Sequence, residues 1–262
     1  MSAAHALRVQ RPVPALSDHV DCYWEGRSAG REGARELVLP NAAMSLVFSI
    51  DDCGRAASVL TGPHSQPISL DTSRGFTAIG VKFKVGGAFP FLETMSCELN
   101  NHTVRLDELW GRDASDLEEQ IWEAPTADEK FRVIQETLPR QLARSPSGHP
   151  GVAYALREID RSGGSCAVAS LADDIGISTR RLGQLFEREV GFSPKLLARM
   201  RRFGEVLRLI DSSGQVDWTD IALSTGYYDQ PHFNHEFRTF CGMEPSAYLQ
   251  KRLSQTHVKL DE

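Results

Sequence analysis

The sequence predicts an α+β chain in two parts. Residues 1–145 should form a β-rich barrel or sandwich with helices after it, and residues 151–252 an all-helical unit with two helix-turn-helix motifs joined by a linker helix. Three observations predict this. Short β-prone runs crowd the first part. The stretch 144–150, Arg-Ser-Pro-Ser-Gly-His-Pro, has the composition of a linker. One pattern occurs twice in the second part. It runs Leu171-Ala172-x3-Gly176-x-Ser178-x3-Leu182-x3-Phe186, then Gly191-x2-Pro194, and returns as Ile221-Ala222-x3-Gly226-x-Tyr228-x4-Phe233-x3-Phe237, then Gly242-x2-Pro245. Helix, glycine turn and second helix is the layout of that motif.

In the first part, residues 36–39, 45–50, 58–61 and 76–85 read as strands, parted by Pro40-Asn41, 51–54, Gly62-Pro63 and Gly86-Gly87 as turns. In the last run Ile79, Val81, Phe83 and Val85 alternate with Gly80, Lys82 and Lys84, so one face is buried and the other wet. Thr126-Ala-Asp-Glu129 is a capping box, and Phe131, Ile134, Leu138 and Leu142 form a helical stripe behind it. Pro139 should kink or shorten that helix.

The second part opens with a helix whose apolar face is Val152, Leu156 and Ile159, ended by Gly163-Gly164. The two motifs follow, joined by a helix over about 194–210, with Pro194 suited to its first turn. That rod, roughly 25 Å long, suits two recognition helices set about one DNA turn apart. The last ten residues are polar and should fray.

Composition bounds the function. The chain has 262 residues, enough for two ordinary domains, and its hydrophobic content of 41% is that of a soluble globular protein. Apolar runs are too short for a bilayer, and the start lacks a signal-peptide layout, so a cytoplasmic location without membrane partners is expected. The five cysteines show no C-x-x-C spacing, so neither a zinc site nor a disulfide framework is expected. No phosphate-binding loop, dinucleotide fingerprint or metalloprotease motif occurs, so no cofactor, metal or catalytic residue is assigned and no enzymatic activity is expected. Gly26-Arg27-Ser28-Ala29-Gly30 fits a nucleophile-elbow pattern, but in a polar, glycine-rich stretch it reads as a mobile loop between strands.

The net charge of −6 disfavours nucleic acid, yet residues 178–208 hold eight basic side chains against three acidic ones. On the helix 178–190, Leu182, Leu185, Phe186 and Val190 fall on one face. Arg180, Gln184 and Glu187 fall opposite, with Arg181 and Arg188 on the flank. Arginine pairs guanine and glutamine pairs adenine in the major groove. Gly183, mid-helix, costs ~1 kcal/mol relative to alanine, and either allows close approach to DNA or is neutral drift. In the second motif Phe233, Phe237 and Phe240 face inward, and Pro231, His232, His235, Arg238 and Thr239 face outward. That surface suits positioning more than base choice. The expected DNA-binding set is Thr179, Arg180, Arg181, Gln184, Arg188, Pro231, His232, His235 and Arg238, with Arg199 and Arg201 on phosphates.

These residues resemble the AraC/XylS family of bacterial transcription regulators. The resemblance is carried by Val168-x2-Leu171-Ala172-x3-Gly176-x-Ser178, Gly191-x-Ser193-Pro194, Arg202-Phe203 and Gly226-Tyr227-Tyr228-Asp229-Gln230-Pro231-His232-Phe233-x3-Phe237-x4-Gly242-x2-Pro245-x2-Tyr248. It implies a seven-helix domain on adjacent major grooves of promoter DNA, with activation the commonest outcome. Base contacts would come from Arg180, Arg181 and Gln184, then Pro231, His232 and His235. The sequence departs from the family at His235, usually Arg, and at Val206, usually Ala. The first part is similar to the amino-terminal domain of an AraC-like subgroup through Val38-Leu-Pro40, Ser45-Leu-Val-Phe48, Gly80-Val-Lys-Phe83, Gly86-Gly-Ala-Phe-Pro-Phe91 and Leu106-x2-Leu109-Trp110-Gly111. The implied role is effector sensing or dimerisation.

The partners this implies are double-stranded promoter DNA, a small-molecule effector, RNA polymerase for an activator, and a second copy in a homodimer. Tyr23, Trp24, Phe48, Phe83, Phe89 and Trp110 are the candidate lining of an apolar effector pocket. Two alternatives stand beside this. The first part only dimerises, or the chain is a cysteine-dependent DNA-repair or redox-sensing protein with an AraC-type targeting domain, with Cys22 and Cys97 the thiols of interest.

Overall fold

The computed structural model describes residues 7–92, 94–142, 148–212 and 216–254. Most of the expected linker (144–147) and most of the expected frayed end (255–262) lie outside the described residues. In chain order the strands are β1 (Arg8–Gln10), β2 (Val20–Ser28), β3 (Arg35–Val38), β4 (Ser45–Asp51), β5 (Ala56–Thr61), β6 (Ile68–Asp71), β7 (Phe76–Phe83) and β8 (Thr103–Arg105). Six form an antiparallel sheet in the order β1-β2-β7-β4-β5-β8, and β3 and β6 pair as a separate ribbon.

The period-2 alternation places Ile79, Val81 and Phe83 on the buried face. The register of β7 against β2 and β4 brings Tyr23, Leu46 and Phe48 onto that same face. Helices cover it: α1 (Leu106–Trp110), α2 (Arg112–Glu123) and α3 (Ala127–Leu142). Leu117 and Ile121 of α2 and Phe131, Ile134 and Leu138 of α3 complete this core. The apolar face of the sheet is thus closed by the helices that follow it in the chain.

The capping box forms as expected. Glu129 N donates to Thr126 Oγ1 at 3.3 Å, and Thr126 N donates to Glu129 Oε2 at 3.2 Å. Pro139 does not shorten α3, which continues to Leu142. Residues 26–28 are not a mobile loop. They are the end of β2, paired with 76–78 of β7. This central strand escaped the periodicity because its register shifts between Val20 and Cys22, so buried Val20 and Tyr23 lie three apart instead of an even number.

The second part has seven helices among its described residues: α4 (Pro150–Arg161), α5 (Val168–Ile175), α6 (Thr179–Glu189), α7 (Pro194–Ser212), α8 (Trp218–Ser224), α9 (Gln230–Cys241) and α10 (Pro245–Ser254). Ser178 caps α6 by accepting from Arg181 N, and Asp229 caps α9 by accepting from His232 N. Gly176 ends α5 in the left-handed region that glycine tolerates, at φ 77°. A second core joins these helices through Leu171, Leu182, Phe186, Phe203, Phe233 and Phe237. Ala42, from the first part, belongs to it too.

Candidate nucleic-acid interface

Burial divides α6 as its periodicity predicts. Leu182, Leu185, Phe186 and Val190 are at most 3% exposed, and each such side chain contributes roughly 1.5–3 kcal/mol to holding the helix down. Thr179, Arg180, Arg181, Gln184, Glu187 and Arg188 are exposed. A Cβ built on Gly183 would meet nothing within 4 Å, so that position leaves open space beside Gln184. On α9, Phe233, Phe237 and Phe240 are buried, while Pro231, His232, His235, Arg238 and Thr239 are exposed.

The two units share one register from the cap onward. Leu182 and Phe233 lie four residues after their caps, Phe186 and Phe237 eight, and Gly191 and Gly242 thirteen. Before the cap they differ. Gly176 precedes Ser178 by two residues and Gly226 precedes Asp229 by three. The additional residue in the second turn is Tyr228, 88% exposed. Between the units α7 has 19 residues, a rod of about 28 Å.

The basic stripe is less open than its count suggests. Arg199 Nε donates to Glu236 Oε2 at 2.8 Å, and its guanidinium lies 5.3 Å from the Phe240 ring centre. The Glu236 side chain is 3% exposed, so this pair ties α7 to α9. His232 Nε2 approaches the same carboxylate at 3.8 Å. Beside it, burial and then the Glu236 charge push the Tyr227 hydroxyl well above its ordinary ionisation range. Arg201 pairs with Asp160 of α4, Arg208 with Glu205, and Arg238 with Glu244. Arg202 donates to Gly164 O at 3.2 Å. Arg188 lies over the Phe89 ring at 5.3 Å. Arg180, Arg181 and Lys195 stand exposed.

Sequence reasoning missed Glu236 and Glu189, which are 2% and 5% exposed. The signal was there. Seven residues after the cap the first unit has Leu185 and the second Glu236; eleven after it they have Glu189 and Phe240. A carboxylate at a position that is apolar in the sister copy marks a buried, partnered acid.

The six aromatic residues proposed as a pocket fall in separate places. Tyr23, Phe48 and Phe83 are in the core under α3. Trp24 points to the other side of the sheet, where a Cβ on Gly80 would lie 2.7 Å from its ring. Phe89 meets Arg188, and Trp110 Nε1 donates to Phe91 O at 3.0 Å. A polar depression of about 340 Å³ lies elsewhere, lined by Ser58, Arg105, Asp107, Ser115, Glu118, Glu119 and Trp122. Burial raises the Cys22 and Cys97 thiols above their ordinary range, and Cys241 is pushed up to about 12. Among the described residues no His, Cys, Asp and Glu cluster could hold a metal ion, and no helix is long and apolar enough to cross a membrane.

Known proteins bear on both parts. A family described as a helix-turn-helix domain matches residues 171–251, and a domain of unknown function, DUF6597, matches residues 8–105. The chain is similar to the "Probable bifunctional transcriptional activator/DNA repair enzyme AlkA" of Mycobacterium tuberculosis, at 29% identity over 132 residues. The match covers 47% of this chain and about a quarter, 26%, of that relative's length. Among solved structures, a probable AraC family transcriptional regulator from Rhodopseudomonas palustris is 28% identical. The match covers 39% of this chain and 97% of that one, with a TM-score of 0.36. ToxT from Vibrio cholerae is 14% identical, with 87% of this chain and 97% of that one covered and a TM-score of 0.43. The two capped helices in shared register, α6 and α9, lie within the stretch, residues 171–251, that the helix-turn-helix domain family matches, and the sheet lies within residues 8–105, which the DUF6597 family matches.

Proposed function

We propose that this chain is a sequence-specific DNA-binding transcription regulator, and that its first part governs binding in response to a small-molecule effector. The observation that carries the DNA-reading role is the exposed Arg180, Arg181 and Gln184 edge of α6, anchored from behind by a fully buried face. Thr179 and Arg188 flank that edge. Pro231, His232 and His235 offer the second, weaker surface. Arg199 contributes through its pair with the buried Glu236, which ties α9 of the second unit to α7, and Arg201 pairs at the surface with Asp160 of α4. The raised thiols of Cys22 and Cys97 speak against the cysteine-transfer alternative, since the thiolate is the nucleophile.

Selection from a random duplex pool with the full chain tests this reading. Arg180→Ala should cost ~1–3 kcal/mol on the enriched duplex and relax choice at one base pair. Equal loss on enriched and scrambled duplexes would remove Arg180 as a base reader. Native mass spectrometry of the chain from its own host tests the rest. A dimer with added small-molecule mass supports effector control, and a bare dimer favours dimerisation as the role of the first part.

A further inference from the structure

The C-terminal end of α6 does not end in solvent. It ends on the first part of the chain. Ser96 Oγ donates to Glu189 O at 3.1 Å in a buried setting, and Asn100 Nδ2 donates to Gly191 O. The Glu189 carbonyl, in the last turn of α6, has no partner within the helix, and Gly191 is the residue just past the helix's C-cap. Here another part of the fold supplies the donors. The seam is tight. Gly191 has φ 96°, and a Cβ there would lie 2.6 Å from Asn100 Oδ1 and 2.8 Å from Pro63 Cγ. From the other side, a Cβ on Gly86 would lie 3.1 Å from Leu156 Cδ1 and 3.6 Å from Val190 Cγ2. Glu189, in the same turn, accepts from His149 N at 2.9 Å, fastening the start of α4 to the joint.

The loop 62–67 extends this seam to the second unit. Pro63 borders Gly191 after α6, and a Cβ on Gly242 after α9 would lie 3.4 Å from Pro67 Cγ. The loop is itself held. His64 Nε2 donates to Leu39 O at 3.0 Å, and Ser65 N donates to Asn101 Oδ1 at 3.0 Å. These contacts meet the ends of the reading helices farthest from their caps. Thr179, Arg180 and Arg181 stand in the first turn of α6, roughly 15 Å along the helix from Glu189. The seam therefore leaves the reading edge uncovered, so its effect is to orient that edge.

We propose that Ser96 and Asn100, with the loop 62–67, are positioning residues for DNA reading: the first part of the chain supplies the C-terminal cap of α6 and so sets the angle at which Arg180, Arg181 and Gln184 meet the duplex. This deepens the DNA-reading role and rests on it. Discrimination between sequences depends on that angle, whereas attraction to phosphate depends on exposed charge that the cap does not touch.

The test uses the full chain and a duplex enriched by the unmodified protein from a random pool. Affinities for the enriched duplex and a scrambled one are compared for Ser96→Ala, Asn100→Ala, their double variant and Asn100→Asp. The last keeps the size of Asn100 and places an oxygen where Nδ2 donated. The expected result is a tenfold or greater fall in the enriched-to-scrambled ratio for the double variant and for Asn100→Asp, with affinity for the scrambled duplex held within twofold. An unchanged ratio overturns the proposal. So does a rise in affinity for both duplexes, which would make the seam a mask. Failure of the unmodified chain to enrich any sequence overturns the DNA-reading role itself and this inference with it. For a variant that fails to fold, Asn100→Asp or the remaining single substitution supplies the comparison.

Discussion

Removing either member of the Arg199–Glu236 pair should not cost the same. The Arg199 side chain is 34% exposed and that of Glu236 is 3% exposed. Arg199→Ala strands a buried carboxylate, with the His232 imidazole left 3.8 Å away. Breaking a buried pair in this way costs ~3–5 kcal/mol. Loss of the guanidinium over Phe240 adds ~0.5–1 kcal/mol. Glu236→Ala instead leaves a guanidinium that already reaches water, and ~1–3 kcal/mol is expected. The assay is denaturant unfolding followed by far-ultraviolet circular dichroism. Fluorescence of Trp218, which packs on Phe233 and Phe237, reports the second unit. Arg199→Met with Glu236→Leu, which gives the second unit the leucine that the first has at Leu185, should be less destabilising than Arg199→Ala alone. The reasoning fails if Glu236→Ala costs as much as Arg199→Ala, or if the apolar double replacement costs more than either.

Two further outcomes follow from single positions. Gly183→Ala should stabilise the chain by up to ~1 kcal/mol, because its methyl meets open space in mid-helix. The same variant should bind the enriched duplex more weakly if that space admits DNA, and unchanged binding would reject close approach there. Burial holds the Glu189 carboxyl above its usual range. A raised carboxyl gives stability that is full below the ordinary glutamate range and is lost as pH rises through the folded value. Glu189→Gln should therefore melt at or above the unmodified chain near neutrality, and the difference should vanish in acid. A lower melting temperature near neutrality would show that the ionised form is the one the joint needs.

The helical half was legible because its instructions are local. The apolar stripe of α6, the capping residues Ser178 and Asp229 and the turn glycine Gly176 all act within a few residues of themselves. The sheet was legible in part. β7 alternates cleanly, whereas the shift between Val20 and Cys22 hides β2, and β1 and β8 have three residues each. What a charge does was the least legible. Arg180 and Arg199 look alike in one dimension, and only the packing of α9 against α7 separates an exposed side chain from an internal tie. The pocket expectation had the same weakness. Aromatic residues were counted, but strand parity sends Tyr23 and Trp24 to opposite sides of the sheet.

The additional residue Tyr228 has a practical consequence for anyone rebuilding this protein. Because both units keep the same count from the capping residue to the glycine after the helix, their outward positions correspond one to one, whereas the buried Glu189 and Glu236 each stand where the other unit is apolar. The outward residues of one can be written onto the frame of the other without shifting a buried side chain. The turns are not interchangeable, since trading them would add or remove one residue ahead of the cap. Re-targeting should therefore exchange only the outward residues that follow Ser178 and Asp229, and leave the buried residues and the segment from glycine to cap with their original owner.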